Sequence, residues 1–197
     1  EKRIYCMRNQ IHVEQLNELI LKANNGDTKA FEVIVRNYNK FGYAVAFRIL
    51  CNEEDAKDVV QECFIKIWKH LNEYDKKIKF TTWMYKIVVN LCFDKLKSQK
   101  RRRNIFKNLD EDSVINVPGG IDLEKELTNK ELAAMIKHFA SGLSEKQKTV
   151  FILRDMEDLS IEEVSEIMNI SSGSVKTNLF YARQSIRKKI IKWENQK

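Results

Sequence analysis

The stretch Ser160-Ile161-Glu162-Glu163-Val164-Ser165-Glu166-Ile167-Met168-Asn169-Ile170-Ser171-Ser172-Gly173-Ser174-Val175-Lys176-Thr177 decides the fold. Ile161, Val164, Ile167 and Met168 form one apolar stripe on a short helix, and Ser160 with Glu163 makes a capping box at its start. A tight turn between two helices needs a residue that tolerates positive φ, usually Gly and next Asn, and Asn169 stands there. Ile170 then plugs the corner, and Ser171 or Ser172 caps a second helix. The spacing predicts a helix-turn-helix, in which the first helix props the second against a DNA major groove. An ordinary helical hairpin is the alternative.

On the second helix, Val175, Leu179, Ala182, Ile186 and Ile190 fall on one side and are expected to pack inward. Ser174, Thr177, Phe180, Tyr181, Gln184 and Lys188 face the other way, with Ser172 at the helix start. Hydroxyl and amide groups suit base edges, and aromatic groups suit thymine methyls. Lys176 and Arg183 share a flank that suits a phosphate strand. Phe180 fits either that surface or a covering protein.

Working back along the chain, further capping boxes join Thr128 to Glu131 and Ser144 to Gln147, which places C-terminal helices near 129–140, 145–156, 161–168 and 172–192. The first half reads as about four more. One covers 12–24, one runs from an Asp27 cap to about Leu50, one from an Asn52 cap to about Leu71, and one begins at Thr81 or Thr82. No alternating strand pattern occurs, so the expected class is all-α.

The chain of 197 residues carries 35 Lys or Arg against 28 Asp or Glu, a net charge of +7. Eight basic residues between Lys86 and Lys107 face one acid, and seven between Lys176 and Lys197 face one acid. Between these blocks, Asn108 to Glu131 holds seven acids, two lysines and Pro118-Gly119-Gly120. Two basic modules joined by a flexible acidic linker suggest a polyanion partner, nucleic acid before membrane, although solvated basic faces would look the same. No apolar run approaches a membrane span and Glu1 to Cys6 lacks a signal peptide's apolar core, so a cytoplasmic protein is expected. Cys6, Cys51, Cys63 and Cys92 lie far apart and read as core residues or reduced thiols.

In the helix after Asn52, Ala56, Val60, Cys63, Phe64 and Ile67 make a buried stripe with Val59 beside it, while Asp55, Asp58 and Glu62 share another face edged by Gln61. That face is either solvated or a dock for a basic partner. Metal or acid–base catalysis lacks its ligands, because no Glu-x-x-His occurs and His12, His70 and His138 sit at no ligand spacing from an acid pair. Hence neither metal nor cofactor is expected. In the following helix Met84, Ile87, Val88 and Leu91 should be core, and Lys86, Asn90, Phe93, Lys97 and Lys100 line the opposite side. Such a strip of cations, amide and ring suits single-stranded nucleic acid, or is a solvated face with Phe93 tucked under a neighbour.

Three ordered motifs carry a family resemblance. They are Asp55-Ala56-x-Asp58-x-x-Gln61-Glu62-x-Phe64-x-x-x-Trp68, then Phe80-x-x-Trp83-x-Tyr85-x-Ile87-x-x-Asn90, then Leu143-Ser144-x-x-Gln147 with a helix-turn-helix ending Gly173-Ser174-Val175-Lys176-Thr177. The chain resembles bacterial RNA polymerase sigma factors of the extracytoplasmic-function type, in the sigma-70 family, from about Asn24 to Arg103 and Glu131 to Ile190. The resemblance implies a non-enzymatic promoter-recognition subunit of core RNA polymerase, with no small-molecule substrate. It implies region 2 at 11–103, a linker at 104–127 and region 4 at 128–193; the residues before about Asn9 match nothing in the family, so 1–10 is expected to be an N-terminal arm or appended segment, with Met7 the natural start.

By the same resemblance, Asp55, Asp58, Gln61 and Glu62 contact the clamp coiled coil of polymerase, and the C-terminal module meets its flap. The loop from Lys69 to Lys79, with Tyr74 as the stacking candidate, and the strip of Lys86, Asn90, Phe93, Lys97 and Lys100 take the minus-ten element. Ser172, Ser174, Lys176, Thr177, Tyr181, Arg183 and Gln184 read the minus-thirty-five element as duplex. A membrane-associated anti-sigma factor is the other implied partner. Asn169 stands where the family has Gly, and Asn178, Phe180 and Tyr181 replace its usual Arg, His and Arg, so base preference does not carry over. A stand-alone regulator using the helix-turn-helix alone is the competing reading.

Overall fold

A computed structural model describes residues 12–106 and 129–195, the side chains of 103–106 excepted. The described residues form helices throughout and contain no strand. The arm at 1–10, most of the acidic linker and the Thr128 cap lie outside the described residues.

The first bundle holds α1 (Val13–Asn24), α2 (Thr28–Leu50), α3 (Glu53–His70) with a short 3-10 turn (Leu71–Glu73), and α4 (Phe80–Phe106). Local chemistry sets these boundaries. Asp27 accepts from the amides of Lys29 and Ala30 to start α2, and Asn52 accepts from Asp55 N to start α3. Cys51, between them, takes the left-handed conformation at φ 52°. The fourth helix begins at Phe80 rather than at Thr81 or Thr82. Phe80 is buried against Tyr38 and Tyr74, so its helical turn is set by packing and the Lys79 carbonyl accepts the Trp83 amide instead of a threonine cap. The expected α3 stripe is buried, and α2 packs against α1, α3 and α4. Met84, Val88 and Leu91 are core, with Ile87 only half-buried against it. Cys51, Cys63 and Cys92 are buried, and burial pushes the thiols of Cys63 and Cys92 up to about 12.

The second bundle holds α5 (Asn129–Phe139), α6 (Glu145–Phe151), α7 (Ile161–Met168) and α8 (Ser172–Glu194). The capping boxes at Ser144 with Gln147 and at Ser160 with Glu163 are both formed. The α-helix expected over 145–156 ends at Phe151 and widens into a π-turn at Ile152–Met156, closed by Glu157 N on Ile152 O. Val175, Leu179, Ala182 and Ile186 are buried, but Ile190 is exposed. Trp193, seven residues past Ile186, continues the stripe there and meets Phe139 edge-on at 6.2 Å.

The two bundles touch. The first helix of the helix-turn-helix, α7, packs along α4, and the π-turn packs on α2. Arg48 and Glu157 form a partly buried ion pair between them, and Lys148 Nζ donates to the Ile49 carbonyl at 2.8 Å.

Candidate nucleic-acid and polymerase interfaces

The helix-turn-helix closes as its residues require. Asn169 takes φ 50° and ψ 50°, its amide donates to Ser165 O, and Ser165 Oγ donates to the Ile170 carbonyl at 2.5 Å. Ser171, not Ser172, caps α8 by accepting from Ser174 N at 3.2 Å. The outer face of α8 carries Phe180, 61% exposed, and Tyr181, 52% exposed, edge-on to each other at 5.5 Å. Ser172, Ser174, Lys176, Thr177 and Gln184 are exposed with them. Arg183 is also exposed but already engaged: Nε donates to Asp155 Oδ2 at 2.8 Å and Nη2 to Oδ1 at 2.5 Å. Those hydrogen bonds push its guanidinium pKa up further. A groove of about 570 Å³ beside them is lined by Arg154, Lys176, Phe180, Arg183, Gln184 and Arg187. Arg187 follows Phe180, Arg183 and Gln184 at helical spacing on α8, whereas Arg154 comes from the π-turn and is missed by spacing alone.

The four acidic-face residues of α3 separate into two kinds. Asp58, Gln61 and Glu62 are exposed, whereas Asp55 is turned toward α4. Lys95 Nζ lies 2.9 Å from Asp55 and 3.1 Å from Asp58, and Gln99 donates to Asp55 at 2.8 Å. The hydrogen bond to Asp55, with the Asp58 bond behind it, holds the Lys95 ammonium above its usual range. Beside Gln61 an apolar groove of about 540 Å³ opens between α2 and α3, lined by Phe31, Val35, Tyr43, Val60, Ile65 and Trp68. Trp68 rests edge-on to Phe31 at 4.8 Å. Ile65 is 47% and Trp68 37% exposed. A residue-by-residue reading for charge overlooks this groove, although Gln61, Ile65 and Trp68 fall one helical turn apart.

On α4, Asn90, Lys97 and Lys100 are exposed, Lys86 is half-buried, and Phe93 leans on the core. Lys86 Nζ is 2.8 Å from Glu166, Lys79 Nζ is 2.8 Å from Glu163, and Lys100 Nζ is 2.7 Å from Glu145. Burial alone would raise the Glu163 pKa, but hydrogen bonds from Lys79 and the Ser160 amide outweigh it and lower the pKa. Tyr74 is folded inward rather than presented. Its hydroxyl donates to the Ile78 carbonyl at 2.7 Å, its ring lies 5.5 Å from Phe80 and 5.2 Å from Trp83, and burial pushes its pKa up to about 12.

Comparison with known proteins accounts for this arrangement. The family model for Sigma-70 region 2 matches residues 34–102 and that for Sigma-70 region 4 matches residues 133–186. The chain is 34% identical over 185 residues to the ECF RNA polymerase sigma-E factor of Haemophilus influenzae, covering 90% of this chain and 97% of that protein. It is 30% identical over 180 residues to the ECF RNA polymerase sigma factor SigW of Bacillus subtilis, covering 89% of this chain and 96% of that one. In fold it is similar to CnrH, solved with the cytosolic domain of CnrY, at TM-score 0.64 and 19% identity over 89% of this chain and 96% of that chain. It is equally similar to the sigma factor RpoE of Bartonella quintana, solved with the anti-sigma factor NepR, at TM-score 0.65 and 20% identity over 82% of this chain and 97% of that chain. The chain belongs to the extracytoplasmic-function sigma factors of the sigma-70 family, non-enzymatic transcription initiation factors that direct RNA polymerase to promoters.

Proposed function

We propose that the three faces divide the work of initiation. Residues 11–103 act as region 2, residues 128–193 as region 4 and residues 104–127 as the linker between them, in the cytoplasm. Asp58, Gln61 and Glu62 dock on the clamp coiled coil of core polymerase, with Ile65 and Trp68 supplying an apolar anchor, and region 4 meets the flap. Asp55 acts one step back, holding α4 against α3 through Lys95 and Gln99. Lys86, Asn90, Phe93, Lys97 and Lys100 hold the melted minus-ten strand, its phosphates on the lysines and its bases against the amide and ring. Tyr74 joins them once its ring leaves the Phe80 and Trp83 cluster. Ser172, Ser174, Thr177, Tyr181 and Gln184 read the minus-thirty-five duplex while Lys176 and Arg183 take phosphates. A membrane-associated anti-sigma factor is the counter-partner in this reading, which is supported by RpoE having been solved with the anti-sigma factor NepR and CnrH with the cytosolic domain of CnrY.

The observation that carries this reading is the exposed polar edge of Asp58, Gln61 and Glu62 beside an open groove floored by apolar side chains. A surface that only faces water has no use for Ile65 and Trp68 there. Titrating core polymerase with the parent chain and with Asp58→Lys/Glu62→Lys tests it. Loss of binding with unchanged thermal unfolding supports the dock, and unchanged binding refutes it.

A further inference from the structure

We propose that in the free protein α7 stands in for the melted promoter strand. The carboxylates of Glu163 and Glu166 occupy the positions on Lys79 and Lys86 that strand phosphates take in the open complex. The inference rests on the assignment of the α4 strip to the minus-ten strand made above. Its basis is the pairing of charges across the two bundles. Lys79 leads into α4 and Lys86 and Lys100 lie on it, and each meets a carboxylate from the C-terminal bundle, on Glu163, Glu166 and Glu145, at 2.7 to 2.8 Å. The C-terminal bundle presents a basic face on α8 and an acidic one on α7, and it is the acidic one that lies along α4. Carboxylate and phosphate oxygens make the same charge-assisted hydrogen bond to an ammonium group, so the two compete for one site.

Each pair is a surface contact, weak by itself and screened by salt. What makes them effective is tethering. The partly buried Arg48 and Glu157 pair and the Lys148 bond to Ile49 O hold the bundles together away from the strip, so α7 is presented to α4 as an intramolecular competitor. A polymerase that grips the two bundles apart removes that competitor, which couples core binding to exposure of the strip. The acids on α7 therefore keep the free factor from binding single strands at random, and they do so without contacting DNA.

The test uses the full chain and a zero-length carbodiimide, which joins only amines and carboxylates already in contact. Peptide mass spectrometry of the free protein should find amides between Lys86 and Glu166 and between Lys79 and Glu163, together with the Lys95 to Asp55 amide within the first bundle as an internal control. In the holoenzyme the control should persist and the cross-bundle amides should vanish. The control amide alone in the free protein overturns the closed arrangement, and cross-bundle amides that survive core binding overturn its release. In a second arm, Glu163→Gln/Glu166→Gln, which keeps a Gln at the capping-box position, should bind a fluorescent mixed-sequence single strand roughly tenfold more tightly than the parent. Adding Lys86→Gln should cancel that gain. Cross-bundle amides with no gain in strand affinity overturn the proposal through its other premise, because the strip then binds no strand.

Discussion

Lys95 on α4 bridges Asp55 and Asp58 on α3, its Nζ 2.9 Å from one carboxylate and 3.1 Å from the other, so two acids of one helical face have different surroundings. Asp55 is 19% exposed and also accepts from Gln99, while Asp58 is 67% exposed. Asp55 therefore works inside the fold, and Asp58 is available to a partner.

Removing Asp55 with Ala should destabilise the first bundle by about 1–2 kcal/mol, since it leaves Gln99 and Lys95 with fewer partners in a half-buried seam. Asp58→Ala should move stability by no more than about 0.5 kcal/mol. Urea denaturation followed by circular dichroism measures both. Equal losses for the two would mean that the seam does not depend on Asp55.

The apolar groove leads to a second expectation. Ile65→Ser keeps the fold, because the side chain is already 47% exposed, but should weaken core-polymerase binding by about 1–3 kcal/mol through loss of its part in the apolar anchor on the clamp. Titration against core enzyme reads the loss. Full affinity in the variant would confine docking to the polar edge.

On α8 the structure separates two cations that spacing treats alike. Lys176 is exposed and should act as a simple phosphate contact, so Lys176→Ala should weaken all upstream sequences alike and flatten the salt dependence by about one counterion. Arg183 is held by Asp155 on the π-turn, so Asp155→Asn should change the orientation of Arg183 and alter the salt slope without touching DNA itself. Tyr181→Ala or Gln184→Ala should instead change which bases are preferred, at roughly 1–3 kcal/mol per lost contact. Selection from randomised upstream elements by each holoenzyme distinguishes these outcomes.

Most of the local architecture was legible because it is written in neighbours. Ser144 with Gln147, Ser160 with Glu163, Asp27 before its helix and Asn169 at the corner each solve a problem within four residues. The π-turn after Phe151 was not, since a widened turn needs no distinctive residue. Nor were the partners of Lys86, Arg48 and Asp55. Helical periodicity says which side of a helix a residue occupies, and Glu166, Glu157 and Gln99 come from elements between 44 and 109 positions away. Tyr74 shows the same limit: a lone tyrosine in a charged loop reads as exposed until Phe80 and Trp83 are seen beneath it.

Strand capture gives a kinetic expectation. Asn90→Ala and Lys86→Ala should slow open-complex formation on closed duplex and be partly rescued on pre-melted templates, because unstacking costs a few kcal/mol per base that the strip has to offset. Permanganate footprints of the bubble report it. Footprints identical to the parent would leave the strip a solvated face.

The central claim, that this chain directs polymerase to promoters using both bundles at once, is tested most directly by transcription of a fragmented genomic library with core enzyme and the purified protein. Transcript starts should appear only when both are present, and share an upstream element and a downstream element at one fixed separation. Starts without that shared pair, or specific promoter binding by the free protein at physiological salt, would contradict it.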